Sequence, residues 1–249
     1  MSHYLLGMRV DSTSYSDAVR SIIDWVKEGG VRSVFAANTH MVMESYDSDS
    51  FRQVVNSADL VTPDGMPLVW WLRYRGEKAQ QRVYGPELML QVCQAASLEG
   101  IAIGLFGSTP EVIDSLKKKL IDRIPGLKIN FMQSPPFKKL SAQDEAKLQE
   151  KILASNMGIL FIALGCPKQE QWIYDHKSNF PIVMVAVGAA FNFHAGAVRQ
   201  APRWMQRSGL EWFYRLIQEP GRLWKRYLIT IPRFVFLVLL EAMGIIHAH

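Results

Sequence analysis

The 249-residue sequence predicts an α/β fold, a parallel sheet with helices on both faces, and three observations carry that reading. Short β-branched runs alternate with stretches of helical periodicity. Runs such as Ile159-Leu-Phe-Ile-Ala-Leu164 are apolar on consecutive positions, as in strands covered on both sides. Repeated βα units of this kind imply right-handed crossovers in one layered sheet. In order, strands are expected at residues 31–37, 59–62, 101–107, 127–131, 157–164 and 182–187. Helices are expected near residues 41–55, 65–75, 87–98, 110–124, 141–154 and 167–177. A loop insertion at 133–139 carries Pro135-Pro136. No internal repeat or low-complexity segment interrupts the pattern.

Composition narrows the class. The hydrophobic fraction of 49% and charged fraction of 20% are those of a globular protein with a sizeable core, and exclude a disordered chain. Two cysteines, Cys93 and Cys166, exclude a disulfide scaffold or a cysteine-built zinc module. The six histidines show no paired metal spacing, so no metal site is expected. Residues 1–10 lack a cationic stretch followed by a long apolar run, so a reducing cytoplasmic location is the default. The net charge of +5 is unevenly distributed. Residues 1–198 are neutral, whereas residues 199–249 carry eight basic residues against Glu211, Glu219 and Glu241. The chain therefore divides into a body, 1–198, and a basic C-terminal appendage, 199–249.

In a parallel α/β sheet, ligands lie outside the carboxyl ends of the strands. The segments expected there are Asn38-Thr39-His40, Pro63-Asp64-Gly65, Gly107-Ser108-Thr109, Gly165 through Glu170, and Gly188 through His194 with Asn192. Most are polar and precede a helix, whose free N–H groups and positive dipole end suit phosphate. A nucleotide diphosphate fits such a set. The chain has neither G-x-G-x-x-G nor G-x-x-x-x-G-K-[ST], so neither a dinucleotide dehydrogenase nor a P-loop ATPase is supported. Asp64 reads either as a turn or N-cap residue or as a general base at the sheet mouth. Asn38 and His40 are candidates to orient a substrate, His40 the weaker. Arg82, Lys168 and Gln169 read equally as phosphate contacts or surface groups. Asp47-Ser48-Asp49 has the form D-x-D, but its polar surroundings read as a solvated helix end.

The appendage is basic and aromatic together, holding Trp204, Trp212 and Trp224. Pro220 and Pro232 are expected to divide it into short helices. The apolar run 234–240 is far shorter than the about 20 residues that span a bilayer, so contact with an anionic membrane surface is favoured. A subunit interface with a second copy of the chain is the rival reading. Nucleic acid is not expected, since the body has no recognised motif and no broad basic field. If the appendage folds over the strand ends, Arg215, Arg222 and Arg226 would neutralise a diphosphate.

Read together, the segments Asn56-Ser-Ala-Asp-Leu-Val-Thr-Pro-Asp-Gly-Met, Arg82-Val-Tyr-Gly-Pro-Glu, Leu164-Gly-Cys-Pro-Lys-Gln-Glu and Gly209-Leu-Glu-Trp-Phe-Tyr-Arg resemble the WecG/TagA/CpsF family, glycosyltransferase family twenty-six. The resemblance runs from about residue 5 to residue 235. It implies an inverting, metal-independent, Rossmann-like bacterial enzyme of surface-polysaccharide synthesis that needs no cofactor. Such enzymes move a sugar from a UDP-sugar to a polyprenyl-diphosphate-linked saccharide, peripherally on the cytoplasmic face of the inner membrane. The family's base maps to Asp64, its pocket residues to Asn38, Arg82 and Gln169, and its appendage supplies arginines to the site. Three positions depart from the family: Ala36 stands where Thr is common, Tyr84 where a small hydroxyl residue is common, and Asn192 where Asp is common. The hexose is left open among N-acetylmannosamine, its uronate, glucose and similar sugars. The rival functions are a UDP-sugar hydrolase or epimerase without a lipid acceptor, and a membrane-docked UDP-sugar-binding module.

Overall fold

The computed structural model describes residues 1–135 and 141–246, the side chains of Ala142 and Arg222 excepted. Its centre is a six-stranded, wholly parallel sheet. The strands are β3 (Arg32–Ala37), β4 (Leu60–Pro63), β5 (Ile103–Gly107), β6 (Ile129–Gln133), β7 (Ile159–Ala163) and β8 (Val183–Ala186), in the order β4-β3-β8-β7-β5-β6. Side chains alternate between two separate cores. Leu160, Ile162, Met184 and Phe35 enter one, while Ile159, Phe161, Val183 and Val34 enter the other. Helices α2 (Thr39–Asp47), α3 (Asp49–Asn56), α4 (Met66–Tyr74) and α8 (Lys168–His176) cover the first face. Helices α1 (Tyr15–Lys27), α5 (Gly85–Leu98), α6 (Pro110–Arg123) and α9 (Ala190–Ala195) cover the second. Burial on both faces explains why the strands read as unbroken apolar runs.

Local chemistry starts most of these helices. Ser14, Asn38, Ser48 and Thr109 each accept a backbone N–H of the following helix, satisfying donors that have no intrahelical partner. The single helix expected at 41–55 is two helices, because Ser48 is extended and its hydroxyl caps Phe51 N–H. Asp47 and Asp49 therefore flank a helix break. Helix α7 (Ala142–Ala154) follows the 133–139 segment, of which Gln133 closes β6 and residues 136–139 lie outside the described residues.

The first thirty residues hold structure that the periodicity missed. Strands β1 (Ser2–Leu5) and β2 (Met8–Asp11) form an antiparallel hairpin around Leu6-Gly7, both at positive φ as a two-residue hairpin turn requires. The buried Asp11 carboxylate accepts Val61 N–H at 2.8 Å, and the Arg9 guanidinium donates to the carbonyls of Ala58 and Asp59. The hairpin thus covers the β4 edge, which would otherwise present unpaired backbone groups.

Residues 199–249 contain α10 (Arg203–Arg207), α11 (Glu211–Gln218) and α12 (Pro220–Ala242). Pro220 opens α12 at its first turn, where a missing N–H costs nothing. Pro232, expected to break the appendage, lies inside this 23-residue helix. An internal proline costs roughly 3 kcal/mol in an exposed helix. Here the following turn is held by burial of Phe234 and Leu237 against the first core, and by Arg233 donating to both Asp47 oxygens. Tertiary packing overrides the local preference.

Candidate active site

The ends of β3, β4, β5, β7 and β8 open into one cavity of about 1,430 Å³, roofed by α4 and by α10 to α12. The base of this chamber is set by backbone geometry. The Asp64 and Gly65 N–H groups both donate to the Ala37 carbonyl, at 2.8 and 3.0 Å, which ties the β4 loop to the end of β3. The Asp64 carboxylate then meets Arg82, whose terminal nitrogen donates to Oδ1 at 3.1 Å while its Nε donates to the Asp64 carbonyl. On the Oδ2 side Gly85 leaves room, since a Cβ there would sit 3.7 Å from Oδ2 and 3.2 Å from the Ala36 Cβ. Burial pushes the Asp64 carboxyl up to about 6; Arg82 pulls it down and Glu211 pushes it further up.

Glu211, from the appendage, completes this cluster. Its Oε2 lies 2.8 Å from the same Arg82 terminal nitrogen, and its Oε1 accepts the Tyr84 hydroxyl at 2.9 Å. Arg82 also lies over the Tyr84 ring at 3.9 Å. Burial opposes the Arg82 charge, but the two carboxylates outweigh it and hold the guanidinium more firmly protonated than usual. The Tyr84 hydroxyl is pushed well up, first by burial and then by Glu211. Tyr84 N–H in turn donates to the Tyr15 hydroxyl, so α1 buttresses the loop.

The other sequence candidates sort by what their side chains already do. Thr39, His40, Lys168 and Asn192 line the cavity. Asn38 also lines it, but its side-chain oxygen is engaged with the N–H groups of His40 and Met41, capping α2. His40 is pushed down to about 4, by burial first and the Arg226 charge second, so it is a neutral imidazole at physiological pH. Ser108 lines the chamber at positive φ and donates to Asn192 Oδ1 at 3.0 Å. Gln169 is buried; its oxygen accepts Gly165 N–H at 3.3 Å and its amide donates to Glu170 at 2.7 Å. Arg215 and Arg226 reach the cavity from α11 and α12, and the Arg215 Nε has no hydrogen-bond partner among the described residues. The Arg222 side chain lies outside the described residues. Gly107 does not line the cavity. It ends β5 at φ +126°, where a Cβ would fall 2.5 Å from the Ala163 carbonyl oxygen, so its glycine serves close strand packing. Asp47 of the D-x-D triplet is engaged by Arg233. Among the described residues no group of three or more His, Cys, Asp or Glu side chains is gathered as a metal site.

One site residue, Glu211, escaped the sequence reading; Glu170, within the expected segment 165–170, is not among the residues lining the cavity. Glu211 sits in the Gly209-Leu-Glu-Trp segment, and an acid in an otherwise basic appendage was the available signal. Glu170 is fully buried beside Gln169, and burial pushes it up to about 7. Nothing local distinguished it from a helix-start carboxylate.

The sequence pattern of the glycosyl transferase WecG/TagA/CpsF family matches residues 3–247. The chain belongs to this family. It is 30% identical over 230 residues to the N-acetylglucosaminyldiphosphoundecaprenol N-acetyl-beta-D-mannosaminyltransferase of Bacillus subtilis (strain 168), covering 92% of this chain and 86% of that one. It is 27% identical over 237 residues to the Staphylococcus aureus (strain MW2) protein of the same name, covering 93% and 90%. As a WecG/TagA/CpsF member the protein is a hexosyltransferase of cell-wall polysaccharide synthesis. No helix among the described residues is long and apolar enough to cross a membrane.

Proposed function

We propose that this family member is an inverting, metal-independent glycosyltransferase that moves a hexose from a UDP-sugar to a polyprenyl-diphosphate-linked saccharide. The observation that carries the reading is Asp64: a largely buried carboxylate held by Arg82 at the mouth of a parallel sheet, its proton affinity raised by burial to about 6. A base titrating just below neutrality is ionised at working pH yet basic enough to accept a proton. The acceptor class follows the names of the Bacillus and Staphylococcus relatives, which act on a diphosphoundecaprenol-linked sugar.

In the proposed step, Asp64 takes the proton of an acceptor hydroxyl as its oxygen attacks the anomeric carbon from the face opposite UDP. The bond from that carbon to the diphosphate oxygen breaks, and its electron pair leaves with UDP. One base suffices, because no sugar–enzyme bond forms, and the configuration inverts. Arg215 and Arg226, reaching the same chamber, supply positive charge for the departing diphosphate, as do the helix starts at Ser108-Thr109 and Lys168-Gln169. Arg82 already serves two carboxylates, so we assign it to holding Asp64 rather than to phosphate. The appendage, residues 199–249, completes the site, and its half-exposed Trp224, Leu228, Ile229 and Phe236 support peripheral contact with the cytoplasmic face of the bacterial inner membrane.

The test is UDP release by the detergent-solubilised protein from a panel of UDP-sugars in EDTA, with and without a polyprenyl-diphosphate-linked N-acetylhexosamine. Acceptor-dependent release is the expected result, and it names the donor. Release independent of acceptor would replace the transferase by a hydrolase, and release only after added divalent metal would overturn metal independence.

A further inference from the structure

The cavity is larger than its proposed donor requires. Ligand pockets of small molecules occupy roughly 300–1,000 Å³, whereas this one reaches about 1,430 Å³, and its lining extends from the polar strand ends along α4 and α12. Its wall along α12 changes character in one direction. Glu219 and Arg226 line the chamber first, then Tyr227 and Thr230. From Ile231 to Ala242 the lining positions of α12 are wholly uncharged and apolar, with Phe234, Val235, Val238 and Leu239 between them. They recur at helical spacing, so they form one stripe of about 16 Å at 1.5 Å per residue. Helix α4 lines the same cavity, with Trp70 and Tyr74 one turn apart on the same face beside Trp71.

The α12 side of this groove is held at two points. Phe234 and Leu237 anchor α12 in the first core, and near its end Glu241 accepts Leu6 N–H at 3.0 Å. The outer rim is nevertheless apolar and open: Tyr74 is 69% exposed, Leu239 55% and Trp70 47%.

We infer that the groove between α4 and α12 holds the isoprenoid chain of the acceptor, leading it from the surface to the Asp64 chamber. The inference deepens the proposed function and rests on its lipid-linked acceptor. Continuity decides the occupant. The groove opens into the chamber where Arg215 and Arg226 present positive charge, so charge and hydrocarbon follow each other as they do in a polyprenyl diphosphate. The groove also bounds how far the acceptor leaves the bilayer: the stretch of chain beside Ile231–Ala242 is withdrawn onto protein, and the remainder stays in lipid.

The test measures binding, apart from turnover. Farnesyl diphosphate and inorganic diphosphate are titrated into the full-length protein in detergent, at one pH and ionic strength. Hydrocarbon burial should make farnesyl diphosphate bind at least about tenfold more tightly. Val238→Trp, which fills the groove, should remove most of that preference, and Trp70→Ala, at a half-exposed position, should weaken it several-fold. Thermal melts identify any variant that has lost its fold, and the exposed Trp70 position keeps the test open if Val238→Trp is lost. Equal binding of the two ligands by the wild type, or an undiminished preference in both folded variants, would overturn the groove. So would competition by a short-chain phospholipid as effective as unlabelled farnesyl diphosphate, or a groove covered by a second copy in sedimentation. Chain-dependent binding without transfer from any UDP-sugar would remove the proposed reaction and leave the groove standing. Acceptor-dependent transfer with chain-independent binding would do the reverse.

Discussion

Replacing Asp64 by Asn should make the protein more stable and nearly inactive, and the two effects share one physical cause. The unfolded chain releases the Asp64 proton near 3.8, whereas the folded site holds it up to about 6. Between those values the unfolded state binds fewer protons, so stability falls as pH rises through the window and stays lower above it. A difference of about two units corresponds to at most about 3 kcal/mol for keeping this carboxylate ionised inside the fold. Asn retains an oxygen for the 3.1 Å bond from Arg82, and the raised value already nets the attraction of that cation for the carboxylate. A net rise of about 1–3 kcal/mol at pH 8, or roughly 3–10 °C in melting temperature for a chain of this size, is therefore expected. Calorimetry of wild type and Asp64→Asn at pH 8, 6 and 4 reads it directly: the gap should shrink towards pH 4, where the wild-type site is protonated too. Turnover at pH 8 should fall by about 10²–10⁴-fold. A variant less stable than wild type at pH 8, or a gap equal at pH 4 and pH 8, would refute the argument that the fold bears a cost for this base.

Glu211→Gln removes the negative charge that raises Asp64, so the acid limb of kcat/KM should move below its wild-type position near pH 6, on the order of one unit. An unmoved limb, read alongside the Arg82 and Arg215 charges that remain around the site, would show that Glu211 only docks the appendage. Gly107→Ala brings a Cβ within 2.5 Å of the Ala163 carbonyl at a φ that L-residues avoid, and should cost about 2–4 kcal/mol in urea unfolding. A wild-type midpoint would contradict the β5–β7 packing argument. Both thiols are pushed up by burial, Cys93 within the second core and Cys166 beside Glu170, so Ellman's reagent at pH 8 should label them slowly until the protein is denatured. Rapid labelling of the native protein would count against that burial.

The body was readable because its signals are local. Strands buried on both faces are continuous in apolar character, and the polar tripeptides at their ends announce the mouth of the sheet, so Asp64, Asn38 and Ser108 could be placed at the cavity from order alone. What escaped depends on partners distant in sequence. The hairpin at residues 2–11 is too short for a periodicity argument, and its purpose, covering the β4 edge, becomes visible only when Asp11 meets Val61. Pro232 reads as a breaker until Phe234 and Leu237 have a core to enter. Gly107 looked like part of a phosphate loop because it precedes Ser108, whereas its backbone angle answers to Ala163 on the neighbouring strand. Glu211 was quoted within a motif but weighed as one acid among arginines. Its meaning is supplied by Arg82, 129 positions earlier in the chain.

That last pairing ties the body to the appendage through one cation. Arg82 is shared by a carboxylate of the body and one of the appendage, all three side chains largely buried. A buried guanidinium with one carboxylate removed loses both Coulomb energy and a hydrogen-bond partner, which is far more costly than parting an exposed ion pair. By contrast the outer link, Arg233 with Asp47, lies where both side chains are over 40% exposed, and is worth less than about 1 kcal/mol. The appendage is thus held by a buried ion pair at Arg82 and by Phe234 and Leu237 in the first core, and only weakly along its outer link. Lifting α11 away would remove Glu211 from Arg82, leave that cation to Asp64 alone, and lower the affinity of the base for a proton. Under the proposed reaction, a protein with Glu211 drawn away from Arg82 would have a weaker base at Asp64.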